Sequence, residues 1–545
     1  MSAAVVTAAL LLLDQLQHGL SLPAVPRVPV APIMEILEAF QDIASQNPEN
    51  ARCVATGYNA SAEYIVNQLG GIGQGSYFDV EVQHFTVPIY KALSPPVLEL
   101  PLSDPPVTFT QCPESTGWQH YVRDCDYAMA RYGGRGGDVT ARAAWVGEGC
   151  AAEDYANMAE GEIALMQNSG SVPAAERLCD NYEKAMLAES LGAAAIIFTG
   201  SIAPARAFQS TWRAGDPLLT IPAIGVTAPV GAVLRQDGGQ VARVATDSVI
   251  DVLYTYNVFA TTRVGEAGST VMVGAHLDSV PEGPGINDNG SGSATLLAIA
   301  SVLASEGTAF NNRVRFAWWG AEEVGLIGSR HYVRDLVENN PPEFDNLALY
   351  LNFDMDASPN YVRRVNTCEN APSCVDPTAT ANSMILTELL EAGFARMGLP
   401  SVGSPMTGGS DFYPFVLAGV PASGLATGAG GIKTAAERDI HGGLALAQLD
   451  PCYHAPCDST ANIALDCLAE TADLAYRTLL ELGNNIPFGE KRQALAGNSE
   501  ATERLLALLG SEAARPAVES CSGVDEEEPD DAPVHPTRKH VHDEE

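Results

Sequence analysis

The second half of the chain alternates short apolar runs with helical segments, and this alternation restricts the possible fold more than any other feature. Apolar runs at 271–275, 313–319 and 347–353 indicate buried strands, and helical stretches such as 293–305 separate them. Strands that alternate with helices form a mostly parallel sheet with helices on its faces. We therefore predict an α/β fold with a mostly parallel or mixed central sheet flanked by helices.

Each of these predicted strands runs directly into acidic or histidine side chains. The first leads into His276 and Asp278, the second into Glu322 and Glu323, and the third into Asp354. In open α/β sheets, sites form beyond the carboxyl ends of the strands. We therefore expect these side chains to meet at one rim of the sheet.

Two further segments supply the same chemistry. Asp288 lies in a glycine-rich stretch, 285–292, immediately before a helix, and His454 lies between Cys452 and Cys457. Imidazole and carboxylate ligands without a thiolate suit zinc, or manganese or cobalt by substitution. The pattern therefore predicts a metal site, although any one of these residues alone is more often a cap or a solvated side chain.

The amino-acid composition of the chain changes between about residues 95 and 246. Proline and glycine are frequent there, and a long helical stretch at 174–192 precedes an apolar strand at 193–198. This segment is predicted to be an insert with its own core. The division is a signal peptide at 1–21, a main domain at 22–94 and 247–490, the insert at 95–246, and a C-terminal extension at 491–545 with an acidic, disordered tail.

The leader is atypical. The apolar run from Met1 to Leu13 is about half the roughly 20 residues that span a bilayer. It suits the apolar region of a signal peptide, but no Lys or Arg precedes it. A truncated leader and a buried N-terminal helix remain alternatives.

Charge and composition exclude some partners. Asp and Glu number 67 against 30 Lys and Arg, which gives a formal net charge of -37. A surface with this much negative charge repels phosphate backbones and anionic lipid. We therefore expect neither nucleic-acid binding nor stable membrane association. Apolar residues make up 46% and charged residues 18%, which is typical of a globular chain.

The cysteines favour an oxidising compartment. Of 11 cysteines, Cys368 and Cys374 are close in sequence, as are Cys452 and Cys457. Further candidate pairs are Cys112 with Cys125 and Cys150 with Cys179, whereas Cys467 in an apolar helical stretch is a candidate free thiol. Several disulfides would agree with export. The sequon at Asn59 is a candidate glycosylation site.

Taken in order, these segments resemble the zinc aminopeptidases of the aminopeptidase Y type, whose relatives include bacterial secreted aminopeptidases and transferrin-receptor-like proteins. The resemblance covers about residues 30–490 and departs from many relatives at Phe412, where they have His. The matching segments are 274–280, 283–292, 319–326, 352–355, 409–411, 419–421 and 453–454.

The resemblance implies a site with two zinc ions. One would be held by His276, Asp288 and Asp354, and the second by Asp288, Glu323 and His454, with Asp288 bridging the pair. Glu322 would take a proton from the attacking water and deliver it to the leaving amine.

Four residues near these ligands are candidates for supporting roles. Asp278 is placed to accept the second ring N–H of His276, which would fix the tautomer, and Asp458 would orient His454 in the same way. Tyr453 is a candidate to polarise the substrate carbonyl, and Met355 to line the side-chain pocket. Plain packing is the alternative for the last two.

The insert resembles a protease-associated domain in its segments 147–150, 161–165 and 221–223. The resemblance as a whole implies a metallo-exopeptidase that acts on peptides and proteins with free N-termini, in a secreted, vacuolar or lysosomal setting. The runner-up is a carboxypeptidase or dipeptidase, which would use a cation such as Arg363, Arg364 or Lys433 for the substrate carboxylate. A receptor-like homologue and a one-zinc glutaminyl-cyclase-like enzyme are further alternatives.

Overall fold

The computed structural model describes residues 28–101, 107–109, 126–129, 136–169, 178–200, 219–489, 494–495 and 497–510. The expected leader, the acidic tail after Cys521 and the candidate pair Cys112 with Cys125 lie outside these residues. Within the described ranges, no helix has both the length and the apolar composition needed to cross a bilayer.

Helices and strands alternate through the second half of the chain. The helices are α1 Val30–Ser45, α2 Tyr58–Gly71, α3 Asn181–Ser190, α4 Ala228–Leu234, α5 Gly292–Glu306, α6 Ile327–Asn339, α7 Pro341–Asn346, α8 Pro377–Arg396, α9 Phe412–Leu417, α10 Ala435–His441, α11 Leu465–Asn484 and α12 Ser499–Gly510. The strands are β1 Phe78–Leu100, β2 Val107–Thr108, β3 Tyr127–Met129, β4 Gly136–Trp145, β5 Ile163–Gln167, β6 Ala195–Thr199, β7 Ala223–Val226, β8 Val241–Thr262, β9 Glu266–His276, β10 Asn312–Trp319, β11 Leu347–Phe353, β12 Arg364–Thr367, β13 Val402–Pro405 and β14 Ala422–Ala426.

The main sheet has the strand order β13-β12-β14-β11-β9-β10-β8. Its centre is parallel, because β9 pairs in parallel with both β10 and β11, and β11 with β14. The three strands predicted from the apolar runs are therefore neighbours with their carboxyl ends at one rim. This confirms the predicted mixed α/β sheet.

Helices cover both faces of this sheet. Side chains alternate along β9, so that Val271 and Val273 enter one apolar cluster and Met272 enters the other. The first cluster is covered by α1, α2, α5, α8 and α11, and the second by α6, α9 and α12. Burial on both faces explains why these strands appear in the sequence as nearly continuous apolar runs.

The insert is joined to the main sheet through two long strands. Strands β1 and β8 pair antiparallel from Phe78 with Thr262 to Glu99 with Arg243. At its far end β8 also pairs with β4, which begins a second group in the order β4-β5-β6-β7-β3. The expected boundaries at 94/95 and 246/247 therefore fall inside this ribbon.

The predicted helical stretch at 174–192 is described only from residue 178, since its first residues lie outside the described ranges. Within the described part, helix α3 begins at Asn181. Asp180 caps it by accepting the Glu183 N–H, while the Glu183 side chain returns to the Asp180 backbone. Cys179 is bonded to Cys150, and this link and the capping box end the helix on its N-terminal side.

Candidate metal centre

The carboxyl ends of the central strands bring the predicted polar residues together. β9 ends at His276, and β11 ends one residue before Asp354. β10 leads into residues 320–328, which carry Glu322 and Glu323 and end with the first two residues of α6. We call this segment the acidic loop. All of these side chains are at least four-fifths buried, so they share a largely desolvated space at the rim.

Asp288 lies at the centre of the cluster. Its Oδ1 is 3.2 Å from Nε2 of His276, and its Oδ2 is 3.1 Å from Nε2 of His454. His454 comes from a short loop closed by the disulfide between Cys452 and Cys457. The two carboxylate oxygens of one residue thus face two imidazoles that are 178 residues apart in the sequence.

The remaining carboxylates complete two groups around Asp288. Asp354 Oδ1 lies 3.4 Å from His276 Nε2, and Glu323 Oε2 lies 3.1 Å from His454 Nε2. Among the described residues, Asp354 Oδ1 and Glu323 Oε1 are buried acceptors without a hydrogen-bond partner. We expected these five residues to meet at the rim of the sheet, and the structure brings them together.

This donor set fits zinc. Tetrahedral zinc with ligand distances of about 2.0–2.2 Å places neighbouring ligand atoms about 3.3–3.5 Å apart. The observed separations between the imidazole nitrogens and the carboxylate oxygens are 3.1 to 3.4 Å. Acceptor oxygens without a proton donor are also what a bound cation would satisfy.

The electrostatics of the cluster favour charged imidazoles in the metal-free protein. Burial lowers the pKa of His276, but Asp354, Glu322 and Asp288 outweigh it, so the pKa lies well above its ordinary value. The pKa of His454 also lies well above its ordinary value. Burial lowers this pKa, but Glu323 and Asp288 raise it by more. Two imidazoles in this state balance part of the negative charge that a bound cation would otherwise balance.

Burial dominates the pKa of the two acidic-loop carboxyls. It raises the pKa of Glu323 to about 7 in spite of His454, and it raises the pKa of Glu322 well above its ordinary value in spite of His276. Glu322 Oε2 is 4.0 Å from His276 Nε2, farther than the nearest oxygens of Asp288 and Asp354. Glu322 therefore lies beside the cluster rather than at its centre.

Asp278 supports the site in a way that differs from the expected one. His276 Nδ1 lies 3.1 Å from the backbone carbonyl of Asp278, whereas the carboxylate is 3.8 Å away. The two carboxylate oxygens instead accept the backbone N–H groups of Glu322 at 3.1 Å and of Glu323 at 3.2 Å. The acidic loop passes close enough for its N–H groups to bond the Asp278 carboxylate. The Asp278 carbonyl, rather than the carboxylate, therefore accepts the His276 ring N–H.

Asp458 also contacts backbone rather than a ring. Its oxygens accept the N–H of Asn287 at 2.8 Å and of Asp288 at 3.0 Å. We expected it to orient His454, but Nδ1 of His454 has no partner among the described residues. Asp458 therefore fixes the central carboxylate through its main chain.

Tyr453 and Met355 are nearly buried beside the cluster. The Tyr453 ring stacks on His454 with centroids 3.8 Å apart. Met355 has a φ of 58°, and its carbonyl accepts the N–H of Thr427 at 2.9 Å. Their expected contacts with substrate stay predictions.

Arg52 is a component of the site that sequence patterns did not indicate. It is fully buried, and its guanidinium donates to the carbonyls of Leu277 at 2.5 Å, Pro284 at 2.8 Å and Gly285 at 2.5 Å. These carbonyls belong to the segment that joins His276 to Asp288. In the sequence it is a single Arg near apolar helical residues, and no motif or residue spacing marks it as part of a site.

A chain of hydrogen bonds supports Asp354 from the core. Trp319 donates to the Tyr350 hydroxyl at 2.9 Å, which donates to the Asn352 amide oxygen at 2.8 Å. The Asn352 amide nitrogen donates to the Ser410 hydroxyl at 2.7 Å, and Ser410 donates to Asp354 Oδ2. Because indole is only a donor, every bond in the chain has a fixed direction that ends on a carboxylate acceptor.

Phe412, the position at which the resemblance departs from the expected pattern, begins α9. It is buried in the apolar cluster that also contains Tyr413 and Phe415. An aromatic hydrocarbon therefore suits its surroundings.

Three of the predicted cysteine pairs form disulfides. They join Cys150 to Cys179, Cys368 to Cys374 and Cys452 to Cys457. Cys467 is a buried free thiol, as expected. Asn59 is exposed in the first turn of α2, so a glycan there would meet solvent.

The three cations considered for carboxylate recognition already have partners. Arg363 Nε pairs with Glu470 at 2.7 Å, and Arg364 pairs with Glu437 at 2.8 Å. Lys433 donates to two backbone carbonyls at 2.8 Å. None of them is directed at the metal-binding cluster by these contacts.

Comparison with known families gives two matches. Residues 257–479 match the family described as peptidase family M28, and residues 137–234 match the PA domain. The second match lies within the predicted insert, and the first covers the five clustered residues.

The chain is also similar to curated proteins along most of its length. It is 36% identical to an aminopeptidase of Pseudomonas aeruginosa over 448 residues, which is 80% of this chain and 77% of the relative. It is 32% identical to a probable leucine aminopeptidase 2 of Arthroderma benhamiae over 440 residues, 78% of each chain.

Solved structures share the fold. An aminopeptidase from Aneurinibacillus sp. strain AM-1 superposes with a TM-score of 0.63 at 23% identity, covering 85% of this chain and 97% of that one. A zinc aminopeptidase from Bacillus subtilis has a TM-score of 0.55 at 22% identity, with 85% and 98% covered.

Proposed function

The chain belongs to peptidase family M28 and is a metal-dependent aminopeptidase, and we propose that two zinc ions and Glu322 carry out its hydrolysis of N-terminal peptide bonds. The observation that most supports two ions is the position of Asp288, whose oxygens lie 3.2 and 3.1 Å from the imidazoles of His276 and His454. Asp288 could therefore serve as a ligand of both ions, as one carboxylate does in two-metal sites.

Each ion would have its own ligands in addition to Asp288. His276 and Asp354 would hold the first zinc, and Glu323 and His454 the second. Zinc at such positions lowers the pKa of water and polarises a carbonyl group. The buried setting strengthens both effects, because charges interact more strongly where water is excluded.

Glu322 is the group we assign to proton transfer. It lies next to a proposed ligand in sequence, its carboxylate is beside the cluster, and burial raises its pKa well above the ordinary value. A carboxylate with a raised pKa accepts a proton from the attacking water more readily and can pass it to the leaving amine. Asp278 holds the Glu322 backbone through the bond to its N–H.

The structure offers less support for the alternatives. Arg363, Arg364 and Lys433 are engaged in ion pairs or carbonyl contacts, which weighs against their use in binding a substrate carboxylate. A receptor-like homologue would not need five potential ligands and Glu322 in one cluster. A one-zinc enzyme would leave either His276 or His454 without a metal.

The direct test is hydrolysis of a panel of aminoacyl-p-nitroanilides with their N-acetylated counterparts. We expect release only from the free-amine substrates, loss on chelation and recovery with zinc. The panel also ranks the preferred N-terminal side chain. Release from N-acetylated substrates would refute the proposal. No release from any free-amine substrate, in protein that holds two zincs, would also refute it and would favour a carboxypeptidase or dipeptidase.

The role of Glu322 is tested by Glu322→Gln. We expect both zincs to remain and turnover to fall about 10²- to 10⁴-fold, the usual contribution of a general base. Glu338→Gln is the matched control, since Glu338 is an exposed residue of α6 paired with Arg334. Near-normal turnover in Glu322→Gln would remove it from the mechanism.

The bridging role of Asp288 is tested by metal content. Asp288→Ala should lower the zinc bound per chain, measured by elemental analysis after equilibration with a weak chelator. Two zincs retained per chain would contradict the assignment.

We also propose that the protein is exported. The three disulfides agree with an oxidising compartment, secreted or vacuolar. N-terminal sequencing of protein from the medium should show a start near residue 22, and retention of Met1 would contradict a cleaved leader.

A further inference from the structure

The acidic loop, residues 320–328, has a backbone conformation that it does not favour by itself. Ala321 and Leu326 have φ values of 60° and 59°. Residues with a Cβ rarely occupy this left-handed region, and they persist there only where surrounding groups hold them. The loop's own backbone bonds, such as that from the Leu326 N–H to the Glu322 carbonyl at 2.8 Å, fix its shape. Contacts from outside the loop fix where that shape, and with it Glu322, lies.

Asn257 of β8 contacts both ends of the loop. Its side chain is fully buried. The amide oxygen accepts the N–H of Gly320 at 3.1 Å, and the amide nitrogen donates to the carbonyl of Gly328 at 3.0 Å. One side chain thus bonds the first and the last residue of the acidic loop.

An amide suits this position because it offers an acceptor and a donor at a fixed separation. The approach is also close, since a Cβ atom at Gly328 would lie 2.3 Å from the Asn257 amide oxygen. A third bond runs outward, from the Asn257 amide nitrogen to Gln83 Oε1 at 3.1 Å. Asn257 therefore links the loop to the ribbon of β1 and β8.

The middle of the loop is held from other directions. The Asp278 carboxylate accepts the N–H groups of Glu322 and Glu323. Phe85 of β1 belongs to the same apolar cluster as Ala321. Asn257 contacts both ends, and the Gly328 N–H also donates to the Gly320 carbonyl at 3.1 Å. Loss of Asn257 would therefore leave the two ends bonded to each other but detach them from β8, while the central contacts remain.

We propose that Asn257 is a positioning residue, which holds Glu322 in place by fixing the two ends of the acidic loop. The inference rests on the proton-transfer role proposed for Glu322. Asn257 does not touch the reacting atoms. Since a misplacement of about 1 Å can lower turnover about 100-fold, its loss should act on kcat rather than on substrate binding.

The test compares Asn257→Leu with Gln83→Leu. The first removes both bonds to the loop and the outward bond, with little change in side-chain volume. The second removes the outward bond and the bond from Gln83 to Asp335, and it leaves both bonds to the loop. We expect kcat to fall about 10- to 100-fold in Asn257→Leu. KM and zinc content at saturating zinc should stay within about two-fold. Gln83→Leu should behave like the unaltered protein.

Hydrogen exchange of the zinc-free protein tests the contact independently of activity. We expect the amides of 320–328 to exchange at least about ten-fold faster in Asn257→Leu, with the rest of the main sheet unchanged. Asn257→Asp keeps the acceptor for Gly320 but loses the donor to Gly328, so it should show a smaller increase. It also serves if Asn257→Leu does not fold.

Combination with Glu322→Gln separates this inference from the proposed function. If Asn257 acts through Glu322, Asn257→Leu should cause no further loss in the Glu322→Gln background. A full additional loss there, or normal kcat or normal loop exchange in Asn257→Leu, overturns the positioning role. Normal turnover of Glu322→Gln would instead overturn the proton-transfer role, and with it the effect on kcat that we infer for Asn257.

Discussion

Replacing Arg52 by Met should destabilise the zinc-free protein more than any surface change of the same kind. The guanidinium is fully buried and donates to the carbonyls of Leu277, Pro284 and Gly285. Burial lowers its pKa to about 10 against the opposing pull of Asp458. Arg52 therefore keeps its charge at neutral pH.

The expected cost can be worked from these contacts. Hydrogen bonds to a charged group contribute about 1.5–3 kcal/mol each, so three contribute about 5–9 kcal/mol. Desolvation of the guanidinium offsets several kcal/mol of this. Met fills most of the volume but removes the guanidinium donor from three buried carbonyls, of which only that of Gly285 keeps another donor among the described residues, the Gly290 N–H at 3.0 Å. We therefore expect a net loss of about 3–5 kcal/mol in the free energy of unfolding.

The assay is urea unfolding of the zinc-free protein, followed by circular dichroism and tryptophan fluorescence. Arg263→Met is the matched control, because Arg263 pairs with Asp79 at 2.8 Å and both side chains are about half exposed. Exposed pairs contribute about 0.2–1 kcal/mol. If Arg52→Met costs no more than Arg263→Met, the guanidinium does not hold the segment between His276 and Asp288.

Three other contacts lead to measurable outcomes. Ser410→Ala removes the hydroxyl that donates to Asp354, so zinc affinity measured by chelator competition should fall about 10- to 100-fold. Ser410→Thr keeps a hydroxyl and should retain more of this affinity. Equal zinc affinities for Ser410→Ala and the unaltered protein would contradict the argument. Burial raises the pKa of Asp458 to about 8. The folded zinc-free protein therefore keeps a proton that the unfolded chain releases near pH 4, so its stability should fall as pH rises through this window, and a constant thermal midpoint from pH 4 to 8 would refute the argument. Replacing both Cys452 and Cys457 by Ser opens the loop around the second imidazole and should cost about 2 kcal/mol of stability, which denaturant unfolding would detect and which an unchanged curve would exclude.

The arrangement of the central sheet was accessible from the sequence. Buried parallel strands need apolar side chains on both faces, so 271–275, 313–319 and 347–353 could be recognised without tertiary information. The start of helix α3 was less accessible, because a capping box at Asp180 fixes it inside the stretch 174–192 that the sequence pattern indicated. Local periodicity predicts the existence of an element better than its ends.

Asp278 shows which contacts residue spacing along the chain can and cannot predict. Its place two residues after His276 predicted a bond from the carboxylate to the ring. The structure has that bond on the backbone carbonyl, and the carboxylate holds Glu322 and Glu323. Which oxygen of Asp278 bonds the His276 ring depends on the acidic loop, which is more than 40 residues away in sequence. The sequence around His276 does not show where that loop lies.

The sequence by itself determined the alternation of strands and helices, the polar residues at the strand ends and the chemistry of the metal-binding set. Only the tertiary structure brought Arg52, Asn257 and Ser410 into hydrogen-bond contact with the segments that carry the proposed ligands and Glu322. The physical reason is that strand and helix patterns repeat over a few residues, whereas buried polar groups must find partners wherever the fold brings them. Arg52 bonds carbonyls 225 to 233 residues away, and Asn257 bonds an amide 63 residues away.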